Sequence, residues 1–171
     1  MKRILILFVI FSNIVFSEII VDKSKSIPIK YAPTSVTVDK DGNIYSVSSF
    51  IGMVVKYNKE WKHEYTFKFK ETKIISDIFY YEDLIYILLG QGTIVVIDKD
   101  GNVKNELSFP NGKLIGELNS PNGIYVDKDG IYLCDTGNSR IVTMDFKGEN
   151  LQSFGYKTVF VDGFMEPNGM S

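Results

Sequence analysis

An isoleucine–tyrosine pair recurs along this chain and marks a repeat. The tyrosines of the three pairs are Tyr45, Tyr86 and Tyr132, which lie 41 and 46 residues apart. The surrounding sequences also align: APTSVTVDKDGNIYSV begins at residue 32, KIISDIFYYEDLIYIL at residue 73 and SPNGIYVDKDGIYLC at residue 120. A fourth copy opens with EPNGMS at residue 166. Because a period of about 20 to 50 residues is typical of solenoids, propellers and arrays, this repeat constrains the fold before any local pattern does.

Each repeat contains four short apolar runs, which we interpret as β-strands. In the third unit they cover residues 123–126, 131–135, 140–145 and 150–154, and in the second unit residues 75–80, 84–89, 93–98 and 103–109. Residues 94–97 lack polar alternation, which predicts a strand covered on both faces. The fourth strand of the first unit alternates Tyr65, Phe67 and Phe69 with polar residues, which predicts an outer strand with one wet face.

Four-stranded units of this length predict the blades of a β-propeller, with sandwiched inner strands and half-exposed outer strands. A β-sandwich also has a strand about every 10 residues, but it does not explain a period of four strands. The expected fold is all-β: a partial propeller of about three four-stranded antiparallel blades and the start of a fourth. The blades are expected at about residues 32–70, 73–109 and 120–155, with the next beginning at residue 166.

The N-terminus reads as a secretory signal peptide over residues 1–17. Lys2 and Arg3 precede apolar residues 4–11 and 14–16, and cleavage is expected before Glu18. The alternative is an uncleaved anchor, which we disfavour because the apolar run is shorter than the roughly 20 residues that span a bilayer. The expected location is therefore secreted, periplasmic or extracellular, with no stable membrane span after cleavage. Cleavage changes the formal net charge from -2 to -4, and this acidic balance disfavours nucleic acid as a partner.

The chain offers few residues for catalysis or metal binding. Cys134 is the only cysteine, so an internal disulfide cannot form. It lies in an apolar run, where a thiol packs as a small hydrophobe. His63 is the only histidine, so a zinc site or a histidine-based nucleophile relay needs other ligands. We predict no catalytic residues, no metal ligands and no cofactor.

The third unit, residues 121–155, closely resembles the NHL repeat. That pattern opens with Pro-x-Gly-apolar, passes an Asp-x-x-Gly turn and continues through Tyr-apolar-x-Asp-Thr-Gly-Asn-x-Arg to Phe-Gly. The match is specific in the third unit, fair in the first and poor in the second, and the units together cover roughly residues 32–171. In the first unit the Asp-Thr-Gly-Asn-x-Arg signature is replaced at residues 48–53, and in the second at residues 89–92.

The resemblance implies a closed ring, commonly of six blades. Three units and the start of a fourth correspond to about half of such a ring, so we expect this sequence to be a fragment of a longer propeller. Residues 18–31 contain two apolar segments around Pro28. We expect this segment to supply an outer strand that closes the last blade of the ring, since proline suits an edge strand.

Antiparallel strand order assigns the connections to two faces. The turn face carries the turns between first and second strands and between third and fourth strands, which are short and alike. The loop face carries the turns between second and third strands and the connections between blades, including residues 110–120. These loops vary, and function on a rigid scaffold concentrates on varied loops. The loop face is therefore the expected binding face.

Five polar residues on the loop face are the candidate binding residues. They are Asn122, Asp135, Asn138, Arg140 and Asn168. A structural role is the alternative, because Asp and Asn side chains bind turn amides and Arg140 can form a fork to a carboxylate on a neighbouring blade. On the turn face, residues 39–43 and 98–102 have the sequence Asp-Lys-Asp-Gly-Asn. An EF-hand-type calcium loop needs a glutamate eleven residues after its first aspartate, and Phe50 and Phe109 stand there, so we predict turns.

Two functional hypotheses follow. The first is a non-catalytic secreted propeller that binds or scaffolds a protein, peptide or glycan through the loop face. The alternative is a metal-dependent propeller enzyme, resembling gluconolactonases or amidating lyases. In gluconolactonase-like propellers the asparagine of Pro-Asn-Gly is a metal ligand, which matches Asn122 or Asn168. This chain lacks their Glu-Gly-Pro-x-Trp opening and the several histidines of amidating lyases, so the binding hypothesis is favoured.

Overall fold

A computed structural model of the chain describes residues 31–69, 73–155 and 167. It contains three four-stranded antiparallel sheets, each with its strands in sequence order. Blade 1 consists of β1 (Ser35–Val38), β2 (Ile44–Ser48), β3 (Met53–Tyr57) and β4 (His63–Lys68). Blade 2 consists of β5 (Ile75–Tyr81), β6 (Leu84–Leu89), β7 (Thr93–Asp98) and β8 (Val103–Ser108). Blade 3 consists of β9 (Gly123–Asp127), β10 (Gly130–Asp135), β11 (Arg140–Met144) and β12 (Gln152–Phe154), with a short 3-10 helix at Thr136–Asn138.

The three blades are equivalent in register, which confirms the repeat. Tyr45, Tyr86 and Tyr132 all lie in second strands, each three residues before the strand's last residue. The predicted strand bounds of the second and third units agree with the structure to within two residues. The predicted signal peptide lies outside the described residues. So do the predicted ring-closing segment, apart from Tyr31, and the start of the next blade, apart from Pro167.

The apolar core consists of two layers, one between each pair of neighbouring blades. Strand β7 shows how both layers form, because its residues alternate between them. Ile94 and Val96 belong to the layer shared with blade 3, and Val95 and Ile97 to the layer shared with blade 1. All four side chains are at most 4% exposed, which confirms the prediction of a strand covered on both faces. The first strands β1, β5 and β9 lie side by side at the inner edges of the blades.

The outer strand of blade 1 has one dry face and one wet face, as its alternation predicts. Tyr65 and Phe67 are half-buried on β4 and pack with Phe69 against the layer between blades 1 and 2. Thr66 and Lys68 are exposed. Strand β4 therefore borders the core. The outer strands β8 and β12 are exposed except at Leu107, so the predicted half-exposed outer strand is found in blade 1 but not in blades 2 and 3. In the part of the chain that the structure describes, no helix is long and apolar enough to cross a membrane.

Aspartates shape the turns of the turn face. Asp39 Oδ1 accepts the backbone N–H groups of Asp41 and Asn43, each over 2.9 Å. Asp98 repeats this arrangement with Asp100 at 3.0 Å and Asn102 at 2.8 Å. The glycine of each turn has a left-handed backbone, with φ of 85° at Gly42 and 86° at Gly101, a conformation that favours glycine. Both Asp-Lys-Asp-Gly-Asn segments thus form turns, as predicted.

Candidate binding face

Asp135 and Arg140 form a buried ion pair at the loop-face end of blade 3. They are register partners where β10 ends and β11 begins. Arg140 donates through Nε to Asp135 Oδ2 over 2.7 Å, and the side chains are 10% and 0% exposed. The carboxylate also accepts the Asn138 side-chain amide at 2.8 Å and the Asn119 backbone N–H at 2.7 Å. Three of the predicted site residues are therefore brought together, around one carboxylate.

The rest of the Arg140 guanidinium binds the connection between blades 2 and 3. One terminal nitrogen donates to the Lys113 carbonyl at 2.9 Å. The other donates to the carbonyls of Leu114 at 2.9 Å and Glu117 at 2.7 Å. The expected fork to a carboxylate on a neighbouring blade is wrong. The carboxylate partner lies on the same blade, and the two terminal nitrogens bind backbone carbonyls because the 110–120 connection passes close to the start of β11.

The two asparagines of the Pro-Asn-Gly motifs are placed differently. Asn122 is exposed just before the innermost strand β9, and its backbone N–H donates to the Cys134 carbonyl at 3.0 Å. Asn168 lies outside the described residues. Its neighbour Pro167 is described, and its carbonyl accepts the Thr136 hydroxyl at 2.5 Å.

A matching contact joins blades 1 and 2 at the equivalent loop position. The Ser49 hydroxyl donates to the carbonyl of Ile75, where β5 begins. Ser49 and Thr136 each follow directly after the second strand of their blade. In both places, therefore, the hydroxyl of the first residue after the second strand donates to a backbone carbonyl later in the chain, that of Ile75 or that of Pro167.

Asp77 is a polar centre that sequence reasoning missed. Its Oδ1 accepts the Ser35 hydroxyl from blade 1 at 2.6 Å, and its Oδ2 accepts the Ile124 backbone N–H from blade 3 at 3.0 Å. One carboxylate on β5 therefore links the innermost strands of all three blades. A signal was present: Asp77 interrupts an apolar strand at the repeat position occupied by Ser35 and Gly123.

The loop face also carries exposed apolar side chains. They are Phe50 (82% exposed), Ile51 (50%), Ile74 (61%), Leu114 (69%) and Ile115 (69%). Phe50 and Ile51 lie between β2 and β3, Ile74 directly precedes β5, and Leu114 and Ile115 lie in the 110–120 connection. Apolar patches on a soluble surface mark interaction sites when they cluster. These five residues are named here the apolar rim, and sequence patterns did not single them out because apolar residues are assigned to the core by default.

Neither the single histidine nor the single cysteine lies in an exposed cluster of potential metal ligands. His63 is exposed on outer strand β4, with Nε2 2.9 Å from the Thr66 hydroxyl. Cys134 is fully buried in β10. Within residues 31–69, 73–155 and 167, no group of three His, Cys, Asp or Glu side chains is arranged to hold a metal ion.

Comparisons with known proteins agree with this architecture. The NHL repeat family model matches residues 118–143. No curated protein matches the chain. Among solved structures, virginiamycin B lyase from Staphylococcus aureus is similar with a TM-score of 0.59 and 18% identity, over 74% of this chain and 42% of that one. An auxiliary nutrient binding protein from Bacteroides ovatus is similar with a TM-score of 0.62 and 15% identity, over 81% of this chain and 42% of that one.

The similarity to these structures concerns the fold, since the sequences are so distant. A glutaminyl cyclase from Myxococcus xanthus extends the range, with a TM-score of 0.51 and 14% identity over 66% of this chain and 47% of that one. The chain spans less than half the length of each of these structures. This chain therefore carries an NHL repeat at residues 118–143, in an all-β array of three consecutive blades that corresponds to part of a β-propeller.

Proposed function

We propose that this chain is part of a secreted, non-catalytic binding propeller whose loop face holds a protein, peptide or glycan. The observation that carries the proposal is the apolar rim. Its five side chains are between 50% and 82% exposed and project from loops that differ from blade to blade. Exposing large apolar side chains in water is unfavourable, and a binding partner recovers that free energy by covering them.

Among the described residues the turn face has fewer exposed large apolar side chains, Trp61 (44%) and Phe146 (40%), and many of its charged groups pair with one another. Lys99 Nζ lies 2.7 Å from Asp41 Oδ2 and 2.8 Å from Asp83 Oδ1. Lys40 Nζ lies 2.8 Å from Asp83 Oδ2. These ion pairs join the turns of blades 1 and 2. The turn face therefore supports the array, and the loop face is the better candidate for a partner.

Similarity of fold supports the proposal at a coarse level. The Bacteroides ovatus protein of similar fold is described as nutrient-binding. The proposal of secretion is based on the signal-like sequence of residues 1–17. A secreted propeller would expose its loop face to ligands outside the cell.

The test is a screen of peptide and glycan arrays with the purified chain, followed by affinity measurements on three variants. Phe50→Ser and Ile74→Ser each remove part of the apolar rim. Val103→Ser removes a side chain of similar exposure (54%) on outer strand β8. We expect the two rim variants to lose about tenfold or more in affinity for the captured ligand, as is usual for central apolar contacts. Equal loss with Val103→Ser, or no loss with either rim variant, contradicts the proposal.

A metal-dependent enzyme is the second candidate. Asn122, which matches the metal-binding asparagine of gluconolactonase-like propellers, is exposed at the entry to innermost strand β9, and virginiamycin B lyase has a similar fold. We rank it second because His63, the single histidine, lies on an outer strand away from β9. Titration calorimetry with Ca²⁺ and Zn²⁺ distinguishes the two. Stoichiometric micromolar binding that Asn122→Ala abolishes would reverse the ranking.

A further inference from the structure

The 110–120 connection presents two apolar side chains on a pinned backbone. Leu114 and Ile115, named here the apolar tip, are each 69% exposed. The backbone beneath them is fixed by the three Arg140 contacts, and Asn138 donates to the Gly112 carbonyl at 2.8 Å. Ordering a loop before binding removes part of the entropic cost of association. A buried ion pair thus holds in place a segment whose outer side chains contact no core.

The segment also braces itself internally. The Glu117 carboxylate accepts the Leu114 backbone N–H at 3.0 Å, and the Glu117 backbone N–H donates to the Leu114 carbonyl at 3.1 Å. The Gly112 backbone N–H donates to the Leu118 carbonyl at 3.2 Å, and the Leu118 N–H donates to the Pro110 carbonyl at 2.9 Å. Leu118 itself is 2% exposed and anchors the segment in the layer between blades 2 and 3. These hydrogen bonds hold the backbone on both sides of the apolar tip.

The apolar loop of blade 1 is pinned in a comparable way. Ser49 contacts the Ile75 carbonyl, and its hydroxyl lies 2.8 Å from that of Thr34. The backbone N–H groups of Ile51 and Gly52 both donate to the Ser48 carbonyl. Phe50 and Ile51 are thus held on the same face as the apolar tip, which gives a partner two separate apolar contacts.

Charge separates the two faces. The described loop-face segments 49–52, 73–74, 90–92, 110–122 and 136–139 carry three ionisable side chains, which are Lys73, Lys113 and Glu117. The turns at residues 39–43, 58–62, 82–83, 98–102, 127–130 and 145–150 carry eleven carboxylates and six lysines. Lys113 is exposed directly beside the apolar tip. The Glu117 carboxylate also borders the tip, through the Leu114 backbone N–H. The net charge is therefore +1 over the loop-face segments and -5 over the turns, so a partner with carboxylates next to its apolar groups is favoured at the loop face over the turn face.

The side chains of the apolar rim select among partner classes. All five are hydrocarbon, so they offer no hydrogen bond to a hydroxyl or amide that they cover. Covering sugar hydroxyls without new hydrogen bonds is costly. The Leu, Ile, Val or Phe side chains of a polypeptide match such a surface.

We propose that the loop face binds a polypeptide segment in which apolar residues alternate with aspartate or glutamate, with Leu114 and Ile115 as the main apolar contact and Lys113 as the charge that selects acidic partners. This inference rests on the proposed binding function and adds the chemical class of the partner.

The test uses two labelled synthetic peptide pools with identical Leu, Ile and Phe positions. One pool has Asp and Glu at the intervening positions, and the other has Lys and Arg. We expect the unmodified chain to bind the acidic pool about tenfold tighter than the basic pool at low salt, with the difference shrinking as ionic strength rises. Lys113→Glu should abolish or reverse this preference. Lys128→Glu, an exposed lysine on the turn face, should leave it unchanged.

Leu114→Ser/Ile115→Ser should weaken binding of both pools about tenfold while the circular dichroism spectrum stays unchanged. Equal binding of the two pools, or a preference that survives Lys113→Glu, overturns this inference. A glycan ligand that the rim variants release also overturns it, while leaving the proposed loop-face function intact. If no ligand responds to any rim variant, the proposed function itself fails.

Discussion

Arg140 and Asp135 pair at the loop end of the β10–β11 hairpin, 2.7 Å apart and both buried, and this pair fixes a connection that belongs to neither strand. The carboxylate is fully engaged, since it also receives the Asn138 amide and the Asn119 backbone N–H. Buried ion pairs add little net stability when intact, but removing one partner leaves a buried charge uncompensated. The main structural role of the pair is therefore to position the 110–120 connection.

The first prediction concerns this pair. Asp135→Ala should lower the free energy of unfolding by about 3–5 kcal/mol, because Arg140 then loses its only carboxylate contact among the described residues. Urea unfolding followed by the fluorescence of Trp61, the single tryptophan, measures the change. Asp129→Ala is the control, since Asp129 pairs with Lys128 on the surface and should cost at most about 1 kcal/mol. Similar losses in the two variants would contradict the assigned role.

The second prediction concerns the link between the innermost strands. Asp77→Ala should lower the free energy of unfolding by about 3 kcal/mol or more, because it removes two hydrogen bonds to a charged group and each contributes about 1.5–3 kcal/mol. Ser35→Ala removes one partner, at 2.6 Å, and should cost less because the Ile124 N–H contact stays. A double-mutant cycle should give a coupling energy of at least about 0.5 kcal/mol. Strict additivity would show that the two side chains do not interact.

Local signals predicted the repeat and most of the strands. The turns at residues 39–43 and 98–102 could be predicted from sequence because Asp39 and Asp98 bind backbone amides only two and four residues away. The alternation of apolar and polar residues on β4 predicted one buried face, and the uninterrupted apolar residues of β7 predicted two. Both predictions hold because successive side chains of a strand point to opposite faces of its sheet. Such features need no knowledge of distant residues.

The contacts between blades could not be predicted from local sequence patterns. Asp77 binds partners 42 and 47 residues distant along the chain, and Arg140 binds carbonyls 23 to 27 residues before it. The path of the 110–120 connection has no periodicity that fixes it. The exposure of Phe50 and Leu114 could not be predicted either, because residue type alone does not distinguish an exposed apolar side chain in a loop from a buried one.

The third prediction concerns acid stability. Burial alone would raise the pKa of Asp39, but hydrogen bonds from Asn43, Asp41 and Tyr45 outweigh it and lower that pKa below its usual value. A lowered pKa in the folded state means that the stabilisation is complete above the unfolded pKa of about 3.9 and is lost as pH falls through the folded value. Asp39→Asn should therefore flatten the decline in the free energy of unfolding between about pH 5 and pH 2. An unchanged acid limb in urea titrations at a series of pH values would refute this assignment.

The last prediction compares two tyrosines of the layer between blades 1 and 2. The Tyr65 hydroxyl oxygen is buried and has no hydrogen-bond partner among the described residues, whereas Tyr45 donates to Asp39 Oδ2 over 3.2 Å. Since an unsatisfied buried polar group costs about 1–3 kcal/mol, Tyr65→Phe should raise the free energy of unfolding by about 1 kcal/mol, and Tyr45→Phe should lower it by a similar amount. Urea unfolding near pH 7 measures both changes.

Alkaline titration tests the same assignment independently. Burial, followed by the nearby carboxylates of Asp98 and Asp100, raises the pKa of Tyr65 to about 12. A raised folded-state pKa gives a stabilisation that is complete below the unfolded pKa of about 10 and is lost as pH rises toward 12. Tyr65→Phe should therefore unfold less readily than the unmodified chain as pH increases through this window. If Tyr65→Phe instead destabilises the chain at pH 7 as much as Tyr45→Phe does, the hydroxyl has a partner, and its burial is not a cost to the fold.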